Sequence, residues 1–263
     1  GTYYEKITPN SGTATAPVTI KGYPGERPLI DCDNRVYRNI EVIGKSYIVF
    51  ENLRVEEPVD AWAHIENSDH ITLQNIEFMN PTYPSGMQRN FNGVALRDST
   101  YNKILNSRFD RWGRYQGGDQ EGNHIGITGD MNRGGYNLIE GNYFTYGAQG
   151  SIIVNAPFNI IRNNTFDNDW QKGIYLGYFV NPGDAPAGTV YPAYRNLVEG
   201  NTFLRSNNSE ADHGGLGYEE TAVGTIFRRN VIRNSDHLGL IVTVFGNYAP
   251  LDYGNHIFNN TIV

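Results

Sequence analysis

The sequence predicts an all-β protein built as a parallel β-solenoid, and three observations support this fold class. One short motif recurs about eight times along the 263 residues. A second short segment with period-two alternation lies between successive copies, as half-buried β-strands require. No window keeps the 3.6-residue period of an amphipathic helix for three turns. Several short strands in each repeat, stacked coil on coil, describe a solenoid.

The recurring motif is an aliphatic pair, two polar residues centred on asparagine, and a closing aromatic or aliphatic residue. Residues 138–144, 160–166 and 197–203 show it most clearly. Successive closing residues are 22 to 37 positions apart. A constant minimum spacing with extra residues in some repeats is typical of coils that carry loop insertions. Eight or nine coils about 4.8 Å apart would form a rod roughly 40 Å long. The closing residues are Val55, Phe78, Phe109, Phe144, Phe166, Phe203, Ile232 and Ile262.

The asparagines of the motif are predicted to stack from coil to coil. The chain has 31 Asn residues, far above ordinary usage. An Asn side chain bonds neighbouring backbone groups and tolerates left-handed conformations, so it suits a tight turn between strands. We therefore interpret the motif asparagines as ladder residues and not as ligands. They are Asn142, Asn164, Asn201, Asn230 and Asn260.

Composition excludes two classes of protein. The net charge is -7 and the isoelectric point is near 5.4. A general nucleic-acid binder would need a basic face, so nucleic acid is not an expected partner. The sequence contains no stretch of 18 apolar residues, so no membrane-spanning helix is expected. The first residues show no signal-peptide pattern, so if the protein is exported its signal has been removed or lies upstream of them.

The repeats resemble the right-handed parallel β-helix of pectate-lyase-like, carbohydrate-active proteins. Residues 1–5, 16–25 and 29–31 are similar to the first coils of the alginate lyase and chondroitinase B family. The resemblance implies a right-handed parallel β-helix of eight or nine coils with loop insertions, forming one domain over residues 1–263. It also implies a secreted or cell-surface protein whose partner is a polysaccharide. Where that family has Glu-x-Glu and then a catalytic Lys, residues 209–213 read Ser-Glu-Ala-Asp-His and no Lys follows, so the family's catalytic residues are not matched.

The second strand of each coil is the predicted floor of a binding groove. Insertions precede it at 79–92, 110–123 and 204–215 and follow it at 177–195 and 245–254, which would wall the strands on both sides. Cleavage of a uronate polysaccharide by β-elimination needs a cation, a base and an acid. Residues predicted to face outward from these strands supply such groups, and we take them as candidate catalytic residues. They are Glu66, Arg97, His124, Lys172 and Tyr175.

Each of these candidates also has a simpler interpretation. Arg97 could pair with Glu66 on the adjacent strand, His124 could be an ordinary exposed histidine, and Lys172 a solvated turn residue. Aromatic residues in the insertions are predicted to stack on sugar rings, although they could instead pack the loops onto the rod. These predicted substrate-binding residues are Trp112, Tyr115, Trp170 and Tyr178.

Calcium is the metal that the acidic loops favour, because it prefers clustered carboxylate oxygens. Glu210, Asp212, Glu219 and Glu220 are close together in sequence. Solvated acidic loops are the alternative interpretation of the same residues.

Two functions of different classes follow. The first is an extracellular enzyme that cleaves an acidic glycan, with a lyase favoured over a hydrolase. The second is a non-catalytic structural or adhesive surface solenoid. Neither end of the sequence supplies a cap over its terminal coil. We therefore expect the chain to be either a fragment or a subunit whose ends are covered by other chains. Stacking end to end in the second case would propagate as a filament.

Overall fold

A computed structural model describes the parts of the chain that define the coils. These are residues 1–33, 35, 37–80, 92–116, 119–129, 133–148, 150–169, 172–177, 193–206, 214–218, 224–235, 238–242 and 254–263. Within them, 29 strands form three parallel sheets and one short antiparallel hairpin. No helix of the described residues is long and apolar enough to cross a membrane.

Each coil contributes one strand to each sheet, and the strands are numbered here in chain order. Sheet A contains β1 (Thr2–Tyr3), β3 (Leu29–Asp31), β6 (Arg54–Glu56), β9 (Glu77–Met79), β12 (Arg108–Asp110), β17 (Tyr143–Thr145), β20 (Thr165–Asp169), β23 (Thr202–Ser206), β26 (Val231–Ile232) and β29 (Thr261–Ile262). Sheet B contains β4 (Arg38–Ile43), β7 (Ala61–Glu66), β10 (Asn92–Arg97), β15 (Asn123–Thr128), β18 (Gly150–Asn155), β21 (Lys172–Leu176), β24 (Gly214–Tyr218) and β27 (Leu238–Val242).

Sheet C and the hairpin complete the fold. Sheet C contains β2 (Val18–Lys21), β5 (Ser46–Glu51), β8 (Asp69–Gln74), β11 (Lys103–Leu105), β16 (Leu138–Glu140), β19 (Ile160–Arg162), β22 (Leu197–Glu199), β25 (Ile226–Arg228) and β28 (His256–Phe258). The hairpin pairs β13 (Arg114–Gln116) with β14 (Asp119–Glu121). The all-β solenoid of eight or nine coils is thus confirmed, and each sequence motif proves to be two strands, one in sheet C and one in sheet A. The single-domain boundary and the end-to-end stacking stay predictions.

The core is a stack of like residues along the rod. Phe78, Phe109, Phe144, Phe166 and Phe203 face inward from sheet A, each at most 2% exposed. Neighbouring ring centroids are 4.6 to 4.9 Å apart and the rings are within 20° of parallel. This spacing equals the strand separation of a sheet, so each coil buries its ring against the ring of the next coil.

Two ladders of buried asparagine hold the turns between the sheets. In the predicted ladder, Asn164 Oδ1 accepts hydrogen bonds from the backbone N–H and the Nδ2 of Asn142, at 2.9 and 3.0 Å. Asn164 Nδ2 donates to the carbonyl oxygen of Ile139 at 2.9 Å and to Asn201 Oδ1 at 3.0 Å. The five predicted ladder residues are all joined in this way, which confirms their structural interpretation.

The second ladder was not predicted. It occupies the turn between sheets B and C, where Asn102, Asn137 and Asn159 each donate a backbone N–H to the Oδ1 of the next asparagine. Its asparagines fall where the insertions after the sheet B strands obscure the period of the sequence, so spacing alone did not reveal them.

The first ladder generates a stability prediction. Replacing Asn164 with alanine removes the acceptor of two donors on Asn142, so the buried backbone N–H loses its partner and Nδ2 keeps only its bond to the carbonyl oxygen of Ile104. Because each unsatisfied buried group costs about 1–3 kcal/mol, we expect Asn164→Ala to lower the free energy of unfolding by about 3 kcal/mol or more. Urea denaturation followed by circular dichroism measures this loss.

The adjacent Asn163 provides the matched control. It is exposed and has a φ of 56°, and the corresponding Gly141 and Gly200 have φ values of 70° and 65°. Glycine therefore fits this conformation, and Asn163→Gly should change the unfolding free energy by no more than about 0.5 kcal/mol. Similar losses in the two variants would contradict a specific role for the ladder.

Candidate functional site

The outer face of sheet B carries the groups that are best placed to meet a ligand. The parallel register aligns Ala95 with Gly126, and Arg97 with Thr128, on successive strands. Because side chains alternate along a strand, two outward rows cross the sheet. The first row is Glu41, His64, Ala95, Gly126, Ile153 and Tyr175, and the second is Ile43, Glu66, Arg97, Thr128 and Asn155.

His64, Glu66 and Arg97 lie on two neighbouring strands of this face. His64 Nε2 lies 2.7 Å from Glu66 Oε2, and the two side chains are 10% and 28% exposed. Arg97 is exposed, and it is the register partner of Glu66 on the next strand, where backbones are about 4.8 Å apart. A carboxylate-bound imidazole therefore lies one strand away from an exposed arginine. This imidazole belongs to His64, a residue that the sequence analysis did not select as catalytic.

The half-buried amide of Asn92 extends the polar floor and is supported by Asn123, which is only 3% exposed. Asn123 Nδ2 donates to Asn92 Oδ1 at 3.2 Å. The Asn92 amide lies over Gly126, because a Cβ at that glycine would be 2.0 Å from Asn92 Nδ2. Glycine is thus required for the amide to lie on the sheet. Both asparagines fall at the ends of predicted insertions, 79–92 and 110–123, where no repeat pattern indicates a role for them.

The prediction that His124 faces the groove is wrong. His124 and Ser151 are both 0% exposed, and the His124 ring packs near Trp62, Phe109 and Phe144. The second residues of β4, β7, β15 and β18, which follow the corner from sheet A, all face the interior: Asn39, Trp62, His124 and Ser151 are each 0% exposed. Alternation by two, which the sequence analysis extended to this position, does not hold at the corner.

His124 belongs instead to a buried polar cluster. Its Nδ1 lies 3.0 Å from Ser151 Oγ, and Ser151 Oγ donates to Asp169 Oδ1 at 2.7 Å. Asp169 is 1% exposed and its Oδ2 has no hydrogen-bond partner among the described residues. Burial raises the pKa of Asp169 to about 7, and burial lowers the pKa of His124 to about 3. Both groups are therefore neutral inside the rod near pH 5.

Tyr175 and Lys172 do not join Arg97 in one site. Tyr175 lies in an outward row but is only 6% exposed, and Lys172 Nζ is 4.4 Å from the centroid of its ring. Lys172 is register partner of Gly150, at the opposite end of the strand from the row of Arg97. Lys172 and Arg97 are therefore about 16 Å apart along the strand direction and about 14 Å apart across the sheet, a distance of three strands. The predicted catalytic set is thus split between two ends of the face and the interior.

Of the four predicted substrate-binding aromatic residues, one lies in the core and the side chains of the other three are outside the described part of the structure. Trp112 is 4% exposed and its ring centroid is 4.4 Å from that of Trp62, so it packs in the core and presents no face to a sugar. Tyr115 lies in β13, but its side chain is outside the described part of the structure, as are Trp170 and Tyr178.

The predicted calcium ligands also lie outside the described residues, and they are Glu210, Asp212, Glu219 and Glu220. Among the residues that are described, no group of three or more His, Cys, Asp or Glu could hold a metal ion.

Comparison with known proteins identifies the class of fold. The profile of the family described as "Right handed beta helix region" matches residues 61–262, and the chain belongs to this family. The expectation of a right-handed, pectate-lyase-like β-helix is confirmed. No curated protein matches the sequence.

Solved structures show the same fold at low identity. An alginate lyase from Paenibacillus sp. str. FPU-7 is 16% identical, with a TM-score of 0.53, over 97% of this chain and 89% of its own. PfbA, a surface adhesin of Streptococcus pneumoniae, is 13% identical, with a TM-score of 0.63, over 100% of this chain and 68% of its own. The pectate lyase Pel9A is 18% identical, with a TM-score of 0.51, over 92% and 67%. At these identities the likeness concerns the fold alone.

The buried cluster generates a prediction about pH. The raised pKa of Asp169 contributes stability that is lost as pH rises from about 4 to about 7, whereas the lowered pKa of His124 contributes stability that is lost as pH falls below about 6.5. In the wild type, the contributions of Asp169 and His124 to the pH dependence of the unfolding free energy therefore have opposite signs. Asp169→Asn should remove one of them, so the variant gains stability relative to wild type as pH rises over this window, by up to about 4 kcal/mol. Urea denaturation at several pH values measures the difference.

Asp167→Asn is the control of opposite sign. The Arg205 guanidinium, bonded to both Asp167 oxygens at 2.8 Å, holds the pKa of that carboxyl below its ordinary value. This variant should be less stable than wild type at neutral pH, and the difference should shrink as pH falls below about 4. A pH-independent effect of Asp169→Asn would mean that its carboxyl is not buried.

Proposed function

We propose that the protein binds an acidic polysaccharide along the outer face of sheet B and cleaves it by β-elimination at His64, Glu66 and Arg97. The observation that carries the proposal is the 2.7 Å contact between His64 and Glu66 beside the exposed Arg97. These three side chains supply a base, a group that orients it and a cation on neighbouring strands. The similarity in fold to an alginate lyase and a pectate lyase supports the choice of substrate class.

Each residue has a definite role in the proposed reaction. Arg97 neutralises the uronate carboxylate, which makes the C5 proton more acidic and stabilises the charge that develops in the transition state. His64 accepts that proton, and Glu66 orients the imidazole and stabilises its charged form. As the C5–H bond breaks, a C4=C5 double bond forms and the C4–O bond breaks. The proton on His64 is then available to the departing oxygen.

The remaining floor would position the sugar. The half-buried amide of Asn92, which accepts a hydrogen bond from the buried Asn123, offers groups that match sugar hydroxyl groups. The small residue Ala95 leaves room above the sheet between Asn92 and His64. A glycan lying across the strands would meet the Asn92 amide and the His64 side chain in succession.

A non-catalytic glycan-binding surface protein is the second candidate. It is favoured by the separation of Lys172 from Arg97 and by the interior position of His124, which leave fewer catalytic groups on the face than the sequence predicted. It would use the same polar floor for recognition alone. Under either function the protein would act outside the cell or at its surface, and calcium in the acidic loops stays a prediction.

The activity test compares variants on acidic glycans. Arg97→Ala and His64→Gln should each lower the rate of double-bond formation on alginate, pectate or chondroitin by at least about 100-fold, since each removes a group acting in the transition state. Ultraviolet absorbance of the new double bond measures the rate. Little stability should be lost in the Arg97 variant because its side chain is exposed.

Arg108→Ala is the matched control. Arg108 is also exposed and follows in the same coil, but it projects from sheet A and packs over Tyr143. It should leave the rate unchanged. Wild-type activity that survives Arg97→Ala would overturn the proposed mechanism. Retention on an acidic glycan column that Arg97→Ala abolishes, without any double-bond formation, would favour the binding protein instead.

A further inference from the structure

The outer face of sheet C carries three parallel rows that the proposed function does not use. The aliphatic row consists of four half-buried residues on successive strands, Leu138, Ile160, Leu197 and Ile226. An outward row of large aliphatic side chains over four coils is unusual for a face that meets only water, and contiguous apolar surface of this kind marks interaction sites.

The ring row borders the aliphatic row at the turn from sheet B. Tyr101 and Tyr136 are 49% and 46% exposed, and their ring centroids are 5.1 Å apart. Tyr136 stacks on Phe158 at 4.8 Å, and Tyr194 meets Phe158 edge-on. The first three of these residues have φ values of 56° to 57°, a conformation that bulky side chains rarely adopt. Stacking of the rings therefore holds an exposed apolar ridge along the rod.

The charged row borders the aliphatic row on the other side. Its four residues alternate in sign along the rod in the order Glu140, Arg162, Glu199 and Arg228. Arg162 donates to both oxygens of Glu140 at 2.9 and 3.0 Å, and Arg228 donates to Glu199 at 2.9 Å. The row is thus an ordered pattern of charge and not a set of independent side chains.

We infer that this face binds a second copy of the chain, packed antiparallel about a two-fold axis that runs along the strands between β19 and β22. This rotation reverses the order of the coils but keeps each row in its place across the sheet. Glu140 would then face Arg228 of the second copy, and Arg162 would face Glu199 of the second copy. Every charge of the row meets the opposite sign, as a self-complementary two-fold interface requires.

The aliphatic row agrees with the same axis. Leu138 would face Ile226 of the second copy and Ile160 would face Leu197 of the second copy, so aliphatic meets aliphatic. A two-fold axis along the rod would instead exchange the sides of the face and place charges against the ring row, which would desolvate them without partners. The charge pattern therefore selects the antiparallel arrangement.

The size of the face fits a weak dimer. About an axis between β19 and β22, the six strands from β11 to β28 overlap with those of the second copy; they span about 25–30 Å, and the three rows are about 20 Å wide with their side chains, which gives about 500–600 Å² on each copy. Stable interfaces bury about 800 Å² on each partner, and weak or transient ones bury less. The face lies on a different sheet from the groove, so association and glycan cleavage can be tested separately.

Charge inversion provides a direct test by sedimentation velocity. Wild type should form a dimer at concentrations of tens of micromolar, weakened by salt. The double variant Glu140→Arg/Arg162→Glu keeps an opposite-charge pair within the chain but places like charges opposite each other at all four cross-dimer positions. We expect its association to be on the order of 100-fold weaker.

The quadruple variant is the matched control, adding Glu199→Arg and Arg228→Glu. It restores alternation and self-complementarity, so it should dimerise like wild type, yet it should not mix with wild type. Circular dichroism melting verifies that each variant is folded. A wild type that stays monomeric, or a double variant that associates as tightly as wild type, would overturn the inference. Binding of monomeric wild type to a glycan that the double variant loses would assign the face to glycan and equally overturn it.

Discussion

The fold depends on hydrogen bonds between buried asparagine side chains and the backbone of the neighbouring coil. A solenoid turns sharply two or three times in every coil, and each turn takes backbone N–H and C=O groups out of the sheets and into the interior. Such groups are costly to bury without partners. Asn is suited to this position because its amide both accepts and donates. In Asn142 and Asn164 the amide of one coil satisfies the backbone of the next, so the coils cannot slip without breaking many bonds at once.

This fixed register is what turns single residues into rows. Because each coil stacks directly on the last, a residue type repeated at one position becomes a continuous stripe along the rod. The phenylalanine stack inside sheet A, the rings of Tyr101, Tyr136 and Phe158 at the corner, and the alternating charges of sheet C all arise in this way. The candidate site follows the same rule, since Glu66 and Arg97 are neighbours on adjacent strands only because those strands are in register.

The sequence was sufficient for the architecture and for part of the candidate site. The repeat predicted the solenoid, the strands of sheet B and the first asparagine ladder, because each depends on local periodicity that stacking then enforces. Glu66 and Arg97 were correctly placed on one face for the same reason. His124 was misplaced because the chain bends at the corner before its strand, and a bend changes the side on which alternation begins. His64 was overlooked as a candidate because its contact with Glu66 is a side-chain geometry that spacing does not contain.

We propose that an acidic glycan lies on the outer face of sheet B over His64, Glu66 and Arg97. A crystal structure of the His64→Gln variant with an oligosaccharide of alginate, pectate or chondroitin would show where the sugar binds. We expect a sugar chain running across the strands of sheet B, with a uronate carboxylate bound to the Arg97 guanidinium and the adjacent C5 carbon facing residue 64. A sugar bound on sheet A or sheet C, or one on sheet B that leaves Arg97 without contact, would contradict it.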